Sequence, residues 1–263
     1  MLKTRVIKSF ALMLILSVLS IFMCACEEQK SISSLNDLSE AEFAVPNGTV
    51  ADKLVLSRLP DASFIYFNSV LDAAMAVKAG KADAVAYDEP ILRNIAAKSG
   101  GMKILDEMIT TDSYGFAAGK EDPEIKKAID TVLERLHSNG VYDEMHARWF
   151  PESGAPAPMP EIELDSSAPV LRLGTAAVTE PFSFVTNGSE ITGFDIELAK
   201  RVAAHMGRNL EVINLEFGAL IPALMAGKVD MIAACITITE ERAKKVLFSE
   251  PYYDGGIAAM VRE

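Results

Sequence analysis

The sequence predicts an α/β fold built from two similar halves. Short apolar runs of strand length alternate with apolar runs of helical period, which is typical of a mostly parallel sheet flanked by helices. One short motif occurs twice, as Ala-Gly-Lys-Ala-Asp at 79–83 and as Ala-Gly-Lys-Val-Asp at 226–230. Each copy lies between an apolar helix and a short apolar strand. The repeat therefore indicates two related halves, each with its own sheet.

The first half is predicted at 42–118, and a helical tail follows it at 119–150. Asp122 and Pro123 are a favourable start for the first tail helix, and Gly140 ends it. The predicted strands are 43–45, 64–67 and 82–87, and a further strand at 114–118 crosses out of this half. One helix is predicted to begin near Val50, and the others span 70–78, 89–98, 123–138 and 141–149.

The second half is predicted at 170–263, after a linker at 151–169. The linker holds five of the twelve prolines and no Lys or Arg, so we expect it to be semi-rigid. The second half has predicted strands at 170–174, 211–215, 229–234 and 256–261, and predicted helices at 194–206 and immediately before Gly227.

The first 26 residues predict an export signal. A basic start precedes an apolar stretch at 10–23, which is too short for a stable membrane span. The sequence Met-Cys-Ala-Cys at 23–26 resembles a bacterial lipobox, and Cys26 after the small residue Ala25 is the predicted lipidation site. An ordinary signal with incidental cysteines is the alternative. Polar residues 27–41 predict a tether to a membrane anchor.

Composition argues against several classes of protein. Half of the residues are hydrophobic and 24% are charged, as in ordinary globular domains. The net charge of −12 comes without a basic patch, so we expect no nucleic-acid partner. Cys235 is the one cysteine beyond the leader, which leaves no disulfide framework. His137 and His146 have no cluster of other ligands at metal-binding spacing, so no metal or other cofactor is predicted.

Opposite charges occupy equivalent loops of the two halves. After the second copy of the motif, the strand leads to Thr237 and then to Arg242, behind a predicted helix N-cap at Thr239. An arginine beside free backbone N–H groups at the carboxyl end of a strand suits a carboxylate. In the first copy the equivalent loop carries Asp88. If the halves face each other, a small zwitterion fits between them.

Several motifs resemble family 3 of the bacterial extracellular solute-binding proteins, the amino-acid receptors of ABC importers. The resemblance implies a two-lobed periplasmic-binding-protein-like fold of type II, with a mixed sheet in each lobe and the ligand in the cleft between them. The protein would be exported and lipid-anchored. The motifs that resemble lobe one are 171–175, 180–184, 193–198, 220–224, 236–242 and 248–253, and those that resemble lobe two are 47–49, 80–83, 87–90 and 114–115, with a tail that ends at Trp149.

The resemblance also implies a role for individual residues. Arg242 and Thr237 match the pair that holds the ligand α-carboxylate, and Asp88 matches the acid that takes the α-amine. Phe217 matches a ring that packs on the ligand. Cys235 matches a residue that contacts the ligand through its backbone carbonyl, and Thr49 and Val50 match a helix start that binds anions. Tyr87 and Glu180 are further candidates for lining the pocket, where Glu180 would favour a cationic ligand side chain.

The sequence departs from the family at Thr179, where amino-acid receptors often carry an aromatic residue. The class of ligand side chain therefore stays open. A catalytic relative, such as a dehydratase or a peptidoglycan-cleaving enzyme, is the alternative, and it needs an acid or base in the cleft. Glu180 is the one candidate for that role. A sensor module is a third class, although no membrane segment follows Val261. We expect a binding protein without chemistry.

The order of the lobes differs from the family order. Here lobe two at 42–118 comes first, then the tail at 119–150, the linker, and lobe one at 170–263. Each part occurs once, so we expect a circular permutation with its cut in the first crossover strand, which leaves the strand near 114–118 as the only covalent crossover. The alternative is a fragment of a tandem receptor whose halves close by pairing between two chains.

Overall fold

The structure is a computed structural model that describes residues 32–151, 156–186 and 188–263. The predicted signal at 1–26, its lipidation site Cys26 and the start of the predicted tether lie outside these ranges. Residues Ser33–Glu263 form one compact unit. Within the described ranges, no helix combines the length and the apolar character that a membrane span requires.

Helices and strands alternate along the described chain, as predicted. Ser69 begins the second helix, where its hydroxyl accepts a hydrogen bond from the Asp72 N–H at 3.1 Å. The α-helices are α1 (Ala51–Arg58), α2 (Val70–Lys78), α3 (Glu89–Ser99), α4 (Pro123–Ser138), α5 (Val141–Trp149), α6 (Phe194–His205), α7 (Leu220–Met225) and α8 (Glu240–Ala243), and 3₁₀ turns lie at Leu35–Leu38 and Phe217–Ala219.

The strands are short, and most are buried. They are β1 (Glu42–Pro46), β2 (Ser63–Phe67), β3 (Ala84–Asp88), β4 (Met102–Ile104), β5 (Asp112–Tyr114), β6 (Ala117–Ala118), β7 (Val170–Thr175), β8 (Val178–Thr179), β9 (Ser183–Val185), β10 (Ile191–Thr192), β11 (Asn209–Asn214), β12 (Met231–Ile232), β13 (Leu247–Phe248), β14 (Tyr253–Gly255) and β15 (Ile257–Arg262). The crossover expected as one strand at 114–118 is therefore two strands, β5 and β6.

Two five-stranded sheets organise the described chain. The first sheet has the order β2-β1-β3-β15-β4, and the second sheet has the order β11-β7-β12-β6-β13. In each sheet the strand in fourth place, β15 or β6, is antiparallel to its neighbours, and the other four strands run parallel. The predicted two-lobed α/β fold, with a mixed and mostly parallel sheet in each lobe, is confirmed.

The antiparallel strand of each sheet comes from chain that has just left the other lobe. β6 follows the strands of the first sheet but lies in the second, and β15 follows the strands of the second sheet but lies in the first. Immediately before them, β5 and β14 pair with each other, and the rings of Tyr114 and Tyr253 stack at 5.8 Å. The two lobes are therefore joined by two crossovers that lie side by side.

Strand β15 corrects two predictions. The strand predicted at 256–261 was assigned to lobe one, but Val261 pairs with Ala84 and Arg262 pairs with Met102, both in the first sheet. The strand is apolar and buried, so its pattern suits the centre of either sheet and does not specify which one it joins. Both crossovers are therefore covalent, and the expectation of a single covalent crossover is wrong.

The ends of lobe two lie close together in the first sheet. Ala84 of β3 pairs with Phe43 on one side and with Val261 on the other. Because neighbouring strands are about 4.8 Å apart, the start of β1 and the end of β15 are separated by roughly 10 Å. A short connection is therefore enough to join residue 263 to the chain that leads into β1.

The tail helices pack on lobe one through a buried carboxylate. Glu197 of α6 accepts hydrogen bonds from Arg148 at 2.9 and 3.0 Å and from the Trp149 indole at 2.8 Å. Arg201 pairs with the same carboxylate at 2.7 Å. Two cations and an indole thus compensate the cost of burying this charge.

Candidate functional site

One small cavity lies between the two sheets at the ends of their strands. In the first sheet its walls come from the chain after β1, the end of β3 and the start of β15, and in the second sheet they come from the chain after β11 and β12. Its volume is about 10 Å³, roughly the space for one water molecule. A ligand larger than a water molecule therefore enters only if the lobes move apart. The lining residues are Thr49, Val50, Ala51, Tyr87, Asp88, Phe217, Cys235, Thr237, Arg242 and Ile257.

The structure brings together all but one of the predicted ligand-binding residues. The residues at this cavity are Thr49, Val50, Tyr87, Asp88, Phe217, Cys235, Thr237 and Arg242. They come from both halves of the sequence, as expected if the strand ends of the two sheets face each other. The exception is Glu180, which lies elsewhere.

Arg242 is held by backbone groups of both lobes. The Thr239 hydroxyl accepts a hydrogen bond from the Arg242 N–H at 3.2 Å and thereby caps the short helix α8. The guanidinium donates to the Thr237 carbonyl at 3.0 Å and, across the cleft, to the Gly48 carbonyl at 3.4 Å. The side chain is only 8% exposed, and this burial lowers the pKa of Arg242, which the nearby Asp88 opposes. A guanidinium remains charged at neutral pH, so the cavity has a fixed cation.

Phe217 lies under this cation. The Arg242 guanidinium carbon is 5.6 Å from the centre of the Phe217 ring, within the range of a cation–π interaction. Phe217 begins the 3₁₀ turn before α7 and is only partly buried. The ring therefore orients Arg242 and offers an apolar surface to the same cavity.

Asp88 is the acid of the cavity. It ends β3 and is 4% exposed, and its Oδ1 has no hydrogen-bond partner among the described residues. Burial raises the pKa of Asp88 to about 7, although a hydrogen bond from Tyr114 and the charge of Arg242 act in the opposite direction. A cationic ligand group such as an ammonium would supply the missing partner and favour the ionised carboxylate.

The start of α1 lies on the other side of the cavity. The Thr49 hydroxyl donates to the Pro46 carbonyl at 2.9 Å and accepts weakly from the Ala51 N–H at 3.4 Å. Val50, the N-cap residue, makes no side-chain cap. The first N–H groups of α1 therefore lie beside the cavity, where they favour an anionic group.

Cys235 adopts an unusual backbone conformation at the cavity wall. Its φ of +52° is in the left-handed region that non-glycine residues rarely adopt. The thiol is buried, and burial together with the carboxylates of Asp195 and Asp88 raises its pKa well above the ordinary value. A thiol in this environment stays protonated and is a poor nucleophile. Cys235 thus contributes shape and backbone groups to the cavity.

Glu180 does not line this cavity, so the sequence-based assignment is not supported. Its side chain forms an ion pair with Lys98 of α3, and its backbone carbonyl accepts a hydrogen bond from the Asn94 amide at 3.2 Å. Both partners are on lobe two, whereas Glu180 is on lobe one. Its charge is thus directed to a contact between the lobes.

The sequence does not single out Asp195, a buried acid close enough to Cys235 to affect its thiol but not part of the cavity lining. This side chain at the start of α6 is fully buried, and neither carboxylate oxygen has a hydrogen-bond partner by geometry in the described chain. Burial raises the pKa of Asp195 to about 7, and the nearby polar hydrogens of the Tyr252 hydroxyl and the Cys235 N–H lower this pKa by less, although neither is within hydrogen-bond geometry. An acid at a helix start is normally a solvated residue, so the sequence pattern did not indicate its burial.

Two further features of the described chain concern possible metal ligands and Thr179. No group of three His, Cys, Asp or Glu side chains in the described ranges is placed to hold a metal ion. Thr179, where an aromatic residue was expected from the family, is buried and donates to the Ala176 carbonyl at 3.0 Å. Thr179 therefore contributes to the packing of lobe one and does not line the cavity.

Comparison with known proteins identifies relatives of the second half of the chain. Residues 171–263 match the family described as bacterial extracellular solute-binding proteins, family 3. A probable histidine-binding protein of Campylobacter jejuni is 42% identical over 83 residues, which are 32% of this chain and 32% of that protein. The arginine-binding extracellular protein ArtP of Bacillus subtilis is 42% identical over 89 residues, 34% of each chain.

A longer match extends over almost half of the chain. The ABC transporter glutamine-binding protein GlnH of Bacillus subtilis is 29% identical over 126 residues, 48% of this chain and 45% of that protein. The chain thus spans about a third to a half of the length of the curated relatives it matches. Among solved structures, an ancestral arginine-binding protein bound to arginine is 46% identical over 32% of this chain and 37% of that one, with a TM-score of 0.32.

Proposed function

We propose that this chain, whose residues 171–263 match the family 3 bacterial extracellular solute-binding proteins, is a member of that family and captures an amino acid for an ABC importer. The observation that carries the proposal is a pair of buried opposite charges at one cavity. Arg242 comes from the second sheet and Asp88 from the first, and both are at least nine-tenths buried. A zwitterion matches this pair, because its carboxylate and ammonium each gain a partner away from water.

The other cavity residues support the same ligand class. In this proposal Thr237 and the start of α1 at Thr49 and Val50 assist Arg242 in binding the α-carboxylate. Phe217 and Tyr87 pack against the ligand, and the Cys235 carbonyl helps to bind the α-amine. Glu180, the one catalytic candidate from the sequence, lies outside the cavity and is ion-paired with Lys98, and Asp88 has the role of accepting the ligand ammonium in this proposal. We therefore propose binding without chemistry.

Titration calorimetry with purified protein tests the ligand class. The relatives described above are named for histidine, arginine and glutamine, so these amino acids come first in the panel. We expect one amino acid to bind, and we expect Arg242→Ala to weaken its binding by at least about 2 kcal/mol, roughly 30-fold, because the buried carboxylate loses its cation.

Lys244→Ala is the matched control, because Lys244 is an exposed cation two residues further along the chain. This variant should bind like the unmodified protein. Tight binding of an amino acid that Arg242→Ala leaves unchanged would contradict the assignment of Arg242.

The place of the protein in the cell is part of the proposal. We propose that residues 1–26 are a lipoprotein signal, that Cys26 carries the lipid, and that the residues directly after it tether the receptor to the membrane near its importer permease. The tether predicted at 27–41 is too long, because Leu35 and Leu38 of the first 3₁₀ turn are buried in the fold. Mass spectrometry of the mature N-terminus from cells tests this. A start at Cys26 with a diacylglycerol mass is expected, whereas an unmodified start elsewhere or acylation of Cys24 would rule it out.

The order of the lobes is proposed to be a circular permutation. Both lobes and both crossovers occur once, and the start of β1 and the end of β15 flank the same strand. In this proposal a monomer contains the whole site, because both lobes of one chain line the cavity. Light scattering over a concentration series should give the monomer mass throughout. A dimer at all working concentrations would favour the tandem-fragment alternative.

A further inference from the structure

We propose that Gly48 and Gly218 form a stop that sets how far the two lobes close. We call these two residues the glycine contact. Gly48 follows β1 in lobe two, and Gly218 lies in the 3₁₀ turn before α7 in lobe one. Their role in ligand capture rests on the proposed function, but their role in lobe closure does not.

The two backbones approach more closely than any side chain would allow. A Cβ atom at Gly48 would lie 2.6 Å from the Cα of Gly218 and 3.2 Å from its N atom. Because those atoms belong to backbone, they cannot turn aside as the end of a flexible side chain would. Gly48 also has a φ of +76°, which glycine adopts without strain. A residue with a side chain at position 48 is therefore incompatible with this degree of closure.

The glycine contact lies beside the cation of the cavity. The Gly48 carbonyl accepts the hydrogen bond from Arg242 at 3.4 Å, and Gly218 directly follows Phe217. A second cavity of about 40 Å³ lies beside the first, and both glycines line it together with Phe217 and Arg242. The contact therefore fixes the distance between the lobes at the point where Arg242 spans them. It thereby positions Arg242 against the start of α1.

The geometry is asymmetric and so predicts different tolerance at the two positions. A Cβ atom at Gly218 would lie 3.6 Å from the Gly48 Cα and 3.8 Å from the Asn47 carbonyl oxygen, which are ordinary contact distances. Gly218 is also not one of the described glycines with a positive φ. Alanine therefore fits at 218 with the lobes closed, whereas a longer, branched side chain has to find room beside the backbone of Asn47 and Gly48.

Small-angle scattering and calorimetry on five proteins test the proposal. These are the unmodified chain, Gly218→Ala, Gly218→Leu, Gly48→Ala and Gly227→Ala. Gly227 is the control for backbone strain, because its φ is +66° and nothing lies within 4 Å of an added Cβ atom. We expect the unmodified chain, Gly218→Ala and Gly227→Ala to be equally compact, and Gly218→Leu and Gly48→Ala to have a larger radius of gyration.

Ligand affinity should follow the same order. If an amino acid binds the unmodified chain, Gly218→Leu and Gly48→Ala should bind it about tenfold more weakly or worse, since fewer molecules reach the closed state. Gly227→Ala should lose stability but keep its affinity. Equal compactness of all five proteins would overturn the proposal, as would an effect of Gly48→Ala that Gly227→Ala reproduces.

The two proposals fail in different ways. If no amino acid binds the unmodified chain, the proposed function is wrong, and the scattering curves still decide whether the glycine contact limits closure. If Gly48→Ala does not fold, the comparison of Gly218→Ala with Gly218→Leu still decides, because neither change requires a strained backbone. A compact Gly218→Leu protein with unchanged affinity would overturn the glycine contact while leaving the proposed function intact.

Discussion

The two copies of the repeated motif make the same backbone contact in different lobes. In the first sheet, the Asp83 carboxylate accepts a hydrogen bond from the Glu42 N–H at 2.9 Å, at the start of β1. In the second sheet, the Asp230 carboxylate accepts one from the Arg172 N–H at 2.8 Å, near the start of β7. Each aspartate therefore joins the strand of its own motif to the first strand of its sheet.

The copies differ in how they use arginine. In the second sheet, Arg172 also forms an ion pair with Asp230 at 2.5 Å and donates to the Gly227 carbonyl at 2.9 Å. In the first sheet, the cation near the equivalent turn is Arg262 of β15, which donates to the Ala82 carbonyl at 2.9 Å. In both lobes a guanidinium therefore donates to a backbone carbonyl in the turn after the motif helix. The arginine comes from β7 in the second sheet and from β15 in the first.

The opposite ends of the strands differ more. The chain after the first motif reaches the cavity with Asp88, and the chain after the second reaches it with Cys235 and Arg242. At the ends of the strands next to the motif, the two sheets therefore share a structural role. At the ends next to the cavity, they carry side chains of different chemistry. The comparison indicates that the repeat determines the fold and that the loops at the other end determine what the site can bind.

The largest expected difference between the copies is in the pH dependence of stability, through Asp88. Its folded pKa of about 7 is above the ordinary value of 3.8, so the folded state binds more protons than the unfolded state between about pH 4 and pH 7. Stability from the neutral carboxyl is thus present at low pH and is lost as pH rises through 7. Asp88→Asn should remove this pH-dependent part of the free energy of unfolding, which is roughly 2–4 kcal/mol between about pH 4 and pH 8. Urea unfolding at a series of pH values measures it.

Asp195 is expected to behave in the same way, because its pKa is also about 7. For this reason the measurement is the difference between Asp88→Asn and the unmodified protein at each pH, in which Asp195 and the surface carboxylates cancel. A difference that stays constant from about pH 4 to about pH 8 would show that Asp88 has an ordinary pKa.

The aspartates of the two motif copies should differ by a smaller amount in their contribution to the free energy of unfolding. Asp230→Ala removes a backbone acceptor and the partner of Arg172, and we expect it to lower the free energy of unfolding by about 3 kcal/mol. Asp83→Ala removes the backbone acceptor alone and should cost about 1 kcal/mol. Urea unfolding measures both, and Asp→Asn at each position is the control that keeps an oxygen acceptor. Equal losses in the two Ala variants would show that the Arg172 pair adds nothing.

The smallest expected effect is at Glu180. Its ion pair with Lys98 is partly exposed, and such pairs contribute at most about 1 kcal/mol. Glu180→Gln should therefore lower ligand affinity no more than about fivefold and should leave the ranking of ligands unchanged. Lys98→Gln is the matched variant and should have the same effect. If Glu180→Gln alone reduced the preference for cationic amino acids, Glu180 would contact the ligand after all.

The residues at the ends of strands could be predicted because few features determine them. Parallel strands end at one edge of a sheet, so a motif that fixes where a strand begins also fixes which residues follow it. This reasoning located Asp88 and Arg242 from the repeat. The helix bounds at Val70–Lys78 and Val141–Trp149 also agree with the predicted ranges.

The remaining features depend on which elements meet in space. The apolar pattern of β15 suits either sheet, and only the pairing with β3 and β4 decides between them. Glu180 was assigned to the cavity from its position near a family motif, but Lys98 comes from the other lobe and competes for its charge. Gly48 and Gly218 are far apart in sequence, and nothing in either local sequence indicates their contact.

The place of β15 in the first sheet has a consequence for how the chain folds. β4 reaches the rest of its sheet only through β15, so the sheet that begins the chain is completed by residues 257–262. The second sheet likewise needs β6, which is synthesised before any of its neighbours. Contacts such as the one between residues 84 and 261 are highly non-local, and such contacts slow folding. Neither half of the chain can finish folding before the other is synthesised, so we expect the two lobes to fold together rather than one after the other.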